Sequence, residues 1–230
     1  AMDLMFGAFS SDGRRLGVSV NTNNGTSQCW IQPVGGGANE PVATQGQYAH
    51  ISDWSADGKT VLIMVQGPSF STTIDGTRKV VPLPRIDDAI VSVFSPDGKW
   101  IAHDAEGGLN EVFVTNYPAA TASWQVSRNG GHSPFWSPDG GTLYFLSGDR
   151  IMAAAVRAGE SFTTDAPRVV TALGDHIAAF ALSSITSIKA LGLTQEGLAR
   201  QIGCSTVTIR PPKSRPPTTS CFHCNARISS

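Results

Sequence analysis

The chain has 230 residues and a formal net charge of −1, with 15% charged residues, 40% hydrophobic residues, 24 glycines and 14 prolines. That near-neutral balance excludes a broad nucleic-acid surface, which needs a positive field. No run of about 18 apolar residues is present to span a membrane, and the glycine and proline content describes a turn-rich chain rather than a helical one.

In chain order, the amino terminus comes first. Ala1-Met2-Asp3-Leu4-Met5-Phe6 lacks the basic and long apolar regions of a signal peptide, and it does not choose between a cytoplasmic and an extracytoplasmic compartment. A short pattern then punctuates the chain, an aromatic residue followed by Ser-x-Asp-Gly. It reads Phe9 to Gly13, Trp54 to Gly58, Phe94 to Gly98 and Trp136 to Gly140. The period of about 40 to 45 residues marks a repeat architecture in which each copy is one supersecondary unit.

The pattern has a mechanical reading. Pro at the third place, as in Pro96 and Pro138, presets φ, the Asp side chain bonds back to nearby amides, and Gly takes a positive φ that closes a hairpin. Around each turn the residues divide into four short strands. The first repeat gives Leu4 to Phe9, Leu16 to Val20, Gln28 to Ile31 and Pro41 to Ala43. The second gives Ala49 to Trp54, Thr60 to Val65, Phe70 to Ile74 and Lys79 to Val81, with Asp75-Gly76 as a hairpin between the last two. The third gives Ile90 to Phe94, Trp100 to His103, Glu111 to Val114 and Ser123 to Val126. The fourth gives Ser133 to Trp136, Thr142 to Phe145, Ile151 to Val156 and Arg168 to Val170. β-branched and aromatic residues alternate with small or polar ones, as half-buried strands require.

Four strands per repeat with an aromatic and Asp-Gly landmark predict an all-β fold, a β-propeller of four visible four-stranded blades. The blades span about 1–45, 46–88, 89–130 and 131–173. Phe94 to Ala102 and Trp136 to Phe145 resemble the blades of TolB-like, WD-repeat-like propellers, and Val91 to Val170 is similar to the sensor propellers of bacterial serine/threonine kinases. The resemblance implies a protein-binding, ligand-sensing or peptidase-gating module. Propellers of that family resemble six- or seven-bladed rings, so four blades predict either a small closed ring or a half-ring that self-associates.

After Leu173 the strand alternation stops, and 174–230 is expected to be helical and then disordered. Leu191 to Arg210 resembles the core of a bacterial helix-turn-helix, with Thr194 capping a helix that runs to Ile202. That resemblance implies that Thr194, Gln195, Ser205, Thr206 and Thr208 lie near DNA. Pro211-Pro212 stops the pattern where that family continues, which ranks DNA binding third. Of the four cysteines, Cys29, Cys204, Cys221 and Cys224, the last two have Cys-x₂-Cys spacing without a second pair, and free thiols are the expectation.

The chain has no Gly-x-Ser-x-Gly elbow, no His-Glu-x-x-His and no phosphate-binding glycine loop. One constellation remains. His50 and His132 each stand four residues before the repeat tryptophan, at the start of the strand that lines the propeller channel. His103 and Asp104 end the second strand of the third repeat, and Asp53 replaces the apolar residue found at Val93 and Phe135. His50, His132 and Asp53 are therefore candidate ligands for a divalent metal, Zn or Ca, and His50, His132, His103 and Asp104 are candidate catalytic residues for ester, lactone or phosphotriester hydrolysis. The leading expectation is a binding or sensing module for a protein or small molecule. A metal-assisted hydrolase is the alternative.

Overall fold

A computed structural model of the chain describes residues 3–21, 26–42, 48–105, 109–159 and 161–172. The expected tail helix, with Thr194, Gln195, Ser205, Thr206 and Thr208, and Cys204, Cys221 and Cys224 lie outside the described residues. Within them the fold is all-β: four antiparallel sheets that follow one another along the chain as propeller blades. Blade 1 consists of Asp3–Phe9 (β1), Arg15–Asn21 (β2), Ser27–Pro33 (β3) and Glu40–Val42 (β4). Blade 2 consists of His50–Trp54 (β5), Thr60–Met64 (β6), Pro68–Thr73 (β7) and Val80–Asp87 (β8). Blade 3 consists of Ser92–Phe94 (β9), Trp100–Ala105 (β10), Glu111–Asn116 (β11) and Ser123–Gln125 (β12). Blade 4 has His132–Trp136 (β13), Thr142–Ser147 (β14), Arg150–Ala158 (β15), Phe162–Thr164 (β16) and Arg168–Ala172 (β17).

The repeated turn does the same work in each blade. The Ser Oγ donates to the Asp Oδ1 at 2.6 Å in all four copies. The amide of the residue after Gly donates to that Oδ1 at 3.0 to 3.1 Å. The amide that opens the second strand donates to the Ser Oγ. Gly13, Gly58, Gly98 and Gly140 sit at φ 67° to 72°, a region that a side chain disfavours. These bonds hold the carboxyls of Asp12, Asp57 and Asp139 below the ordinary carboxylate range, the Ser hydroxyl contributing most.

Alternation along the strands sends one face of each blade to its predecessor and the other to its successor. The first seam packs Ala8, Cys29 and Ile31 of blade 1 on Ile51, Trp54, Val61 and Ile63 of blade 2. Gly17 is needed there, because a Cβ would come within 2.9 Å of the Ile51 side chain. The second seam packs Leu62, Met64, Leu83 and Ile86 on Phe94 and Ile101. The third packs Val93, Trp100, Val112 and Val114 on Trp136, Leu143 and Phe145. Innermost strands touch in the order β1, β5, β9, β13, and the described strands of blade 1 make no comparable packing with blade 4.

Three details go beyond the sequence expectation. Phe9 is 49% exposed, whereas Trp54, Phe94 and Trp136 are buried; its position points away from blade 2, to a side on which no described strand packs. β8 runs well past Val81 through Pro82 and Pro84, which an outermost strand tolerates because its missing amides are not needed by a further neighbour. The outer edge of blade 4 is built from two pieces: β17 pairs with the first half of β15 and the unexpected β16 with the second. Nine residues make β15 long enough to carry both. Phe162, 1% exposed, drives the addition by packing among Trp100, Trp124 and Trp136.

Candidate functional site

Strand alternation and one bulge decide where the candidate residues point. His50 and His132 each open the innermost strand of their blade, and β5 bulges between Ile51 and Asp53. The bulge lets His50 and Asp53 both face blade 3. His50 is 7% exposed and its Nε2 donates to the Ile90 carbonyl at 2.8 Å, which places the neutral ring's proton on Nε2. The Asp53 Oδ2 accepts from the Phe94 amide at 2.8 Å, and between them Ser52 Oγ exchanges bonds with the backbone of Ser92. Three polar side chains of β5, His50, Ser52 and Asp53, thus join blade 2 to blade 3.

Asp104 does the corresponding work at the third seam. Its Oδ1 accepts from the Ile90 and Val91 amides at 2.9 Å each, and its Oδ2 accepts from the Ser133 amide of blade 4 at 3.3 Å. At 3% exposure, burial pushes its carboxyl up, against the pull of those amides and of His132. His103 faces the other way and is 2% exposed; its Nε2 lies 3.0 Å from Thr115 Oγ1 and its ring stacks on Phe113. At the first seam Ser19 occupies the place of Asp104, accepting from the Ile51 amide at 2.8 Å, and Trp54 Nε1 donates to Ala8 O at 2.8 Å.

Desolvation dominates the electrostatics. It lowers His50 and His103 from an ordinary 6.5 to about 4, so both rings are neutral at physiological pH. His132 is half-buried, and its Nδ1 lies 3.1 Å from Ser133 Oγ. Burial lowers it, and the Asp104 charge opposes that shift. The structure therefore brings His132 and Asp104 near one another, and gives His50 and Asp53 to a different seam. Among the described residues no three of His, Cys, Asp and Glu are grouped to hold a metal ion. Cys29 is a buried free thiol, its ionisation pushed up by burial.

One feature was absent from the sequence reading. A cleft of about 260 Å³ opens at the third seam between the Ser-x-Asp-Gly turns of blades 3 and 4, bordered by Asp97, Trp100, Trp136, Asp139 and Gly140. The signal for it in the sequence is the residue two places after the turn glycine: Arg15, Thr60, Trp100 and Thr142 in the four repeats.

The fold has clear counterparts among solved structures. The chain is similar to a TolB-type protein from Agrobacterium tumefaciens, with TM-score 0.54 and 20% identity over 68% of this chain and 62% of that one. It is similar to TolB from Acinetobacter baumannii, with TM-score 0.55 and 16% identity over 74% of this chain and 43% of that one. An auxiliary nutrient binding protein from Bacteroides thetaiotaomicron VPI-5482 matches with TM-score 0.55 and 10% identity over 74% of this chain and 42% of that one. The chain thus spans between about two fifths and three fifths of the length of these neighbours. No family model matches it, and no curated protein matches it in sequence.

Proposed function

We propose that the chain is a β-propeller recognition module that binds a protein or small ligand at its channel mouth or along a blade seam. The observation that carries this reading is the use made of the buried polar side chains of β5 and β10: His50, Asp53 and Asp104 each bond the backbone of another segment across or beside a seam. Groups held in this way build a rigid frame, and a rigid frame presenting clefts between repeats suits recognition. The nutrient-binding neighbour and the TolB neighbours, similar in fold, support the same class of role.

A second reading, metal-assisted hydrolysis of an ester, lactone or phosphotriester, draws on His132, half-buried on blade 4 with the Asp104 carboxylate acting on it. It needs the Zn or Ca ligands His50, His132 and Asp53 to act together, which their separate seams oppose. One experiment separates the two. Purified protein is analysed for Zn and Ca, screened by thermal shift against peptides and small ligands, and assayed on the three substrate classes beside the His50→Ala, His132→Ala double variant. Recognition predicts saturable stabilisation by a ligand without turnover; metal-dependent turnover lost in the double variant overturns it.

A further inference from the structure

The internal repeats let one seam report on another. At the second seam the forward face of blade 2 receives the next innermost strand, and Leu62 and Met64 pack on its Phe94. His50 pairs in register with Met64 and donates to the carbonyl of Ile90, four residues before Phe94, at 2.8 Å. Blade 4 carries a face of the same make. His132 pairs in register with Leu146, and Tyr144 and Leu146 stand where blade 2 has Leu62 and Met64. With Phe135, Ile151 and Ala153 they form an apolar cluster whose members all belong to blade 4.

Two observations point to an occupant for this face. Its five side chains are only 2 to 7% exposed, although no described strand beyond blade 4 packs on them; the apolar face of a sheet is buried by a second layer, not by itself. The other is a donor. His50 has its Nε2 satisfied by Ile90, whereas His132 has only its Nδ1 near Ser133 Oγ, and its Nε2 has no hydrogen-bond partner among the described residues. The sequence supplies a matching strand. His176-Ile177-Ala178-Ala179-Phe180 sets a histidine four residues before an aromatic, as do His50 to Trp54 and His132 to Trp136, and it follows His132 by one repeat period of about 40 to 45 residues. Leu173 to Asp175 link it to β17, much as Asp88 and Ala89 link β8 to Ile90, so the connection is long enough. The turn after it departs from the pattern, with Ala181-Leu182-Ser183-Ser184 in place of Ser-x-Asp-Gly, and a count of turns passes it over.

We propose that the forward face of blade 4 is a docking surface for residues 176–180 of the same chain, which lie outside the described residues. Phe180 takes the place on Tyr144 and Leu146 that Phe94 takes on Leu62 and Met64, and the His176 carbonyl accepts from His132 Nε2 as that of Ile90 accepts from His50. The other fastenings of the second seam do not carry over, because Pro134 and Phe135 replace Ser52 and Asp53. Apolar burial and one hydrogen bond therefore hold the segment. The rival occupant is β1 of a second copy; the three-residue link from β17 favours the chain's own strand, whose effective concentration at the face is far higher. The inference is independent of ligand recognition and carries the repeat past Leu173.

The test places the photocrosslinker p-benzoylphenylalanine at position 180 of the full chain, irradiates the dilute protein and maps the crosslinked peptides by mass spectrometry. Crosslinks to β14, at or beside Tyr144 and Leu146, within a single chain are expected. Crosslinks found only between two chains give the face to a second copy and overturn the proposal, as do crosslinks elsewhere or none. A second measurement reads the face itself, through nitration of Tyr144 by tetranitromethane, with Tyr117 as the reference on blade 3. Phe180→Asp puts a charge against the apolar cluster and is expected to speed nitration of Tyr144 about tenfold while Tyr117 stays unchanged. A Tyr144 rate that Phe180→Asp leaves unchanged overturns the docking. Should both tyrosines accelerate, the variant has unfolded, and the crosslink map, made with an aromatic group kept at position 180, decides. Neither result bears on ligand recognition, which the thermal-shift screen tests separately.

Discussion

Acid should loosen the propeller through its buried histidines, and His50→Gln isolates one of them. The His50 ring is held neutral by burial, its ionisation lowered from 6.5 to about 4, and in the unfolded chain it regains the ordinary value. A group depressed in this way gives its full stabilisation above the unfolded value; that stabilisation is lost as pH falls from 6.5 toward 4, because only the unfolded chain takes up the proton readily. At about 1.4 kcal/mol per pH unit, the loss for His50 is about 3 kcal/mol between pH 7.5 and pH 4. Gln preserves a donor toward the Ile90 carbonyl and cannot titrate. Urea unfolding followed by tryptophan fluorescence, at several pH values for both proteins, gives the difference. The wild type should lose about 3 kcal/mol more than the variant on acidification. Asp104 moves oppositely: its raised ionisation favours the folded state more as pH falls, but it is common to both proteins and cancels. Parallel pH profiles for wild type and variant would refute the reasoning.

Two other changes probe the seams. Asp104→Ala leaves the amides of Ile90, Val91 and Ser133 without their acceptor and should cost about 3 kcal/mol or more, with Asp104→Asn recovering part of it; urea midpoints at pH 7 report both. Phe162→Ala removes the ring on which Trp100, Trp124 and Trp136 close and should cost about 3 to 5 kcal/mol. Hydrogen exchange after that change should rise first in β16 and β15 if the loss is local to blade 4.

The parts of this architecture that depend on residues close in sequence were legible before the structure. The Ser-x-Asp-Gly bonds reach at most five residues, so the turn, its glycine and the hairpin it closes follow from each copy alone. His50 and His132 were likewise placed at the openings of β5 and β13 by counting back from Trp54 and Trp136. What the pattern could not supply was partnership across seams. The bond from His50 to Ile90 spans 40 residues and that from Asp104 to Ser133 spans 29, and neither residue pair has a local signature. The bulge after Ile51, which turns Asp53 toward blade 3, breaks the alternation on which strand reading depends. Phe162 was passed over because three residues are too few to show a period. The cleft was hidden because Arg15 and Trp100, equivalent in the repeat, pack against different residues, Trp54 for the one and Trp124 and Phe162 for the other.

The three seams use different polar fastenings although the blades share one turn. Ser19 receives the Ile51 amide at the first, Ser52 and Asp53 receive those of Ser92 and Phe94 at the second, and Asp104 receives that of Ser133 at the third. Repeats so alike run the risk of stacking out of order as the chain folds. Were blade 4 to settle on blade 2, its Ser133 amide would meet Met64, the counterpart of Asp104, and stay unpaired in the interior at a cost of about 1 to 3 kcal/mol. The fastenings therefore differ from seam to seam, in the acceptor used and in the strand that carries it, and blade 4 stacked on blade 2 would leave a donor that blade 3 satisfies.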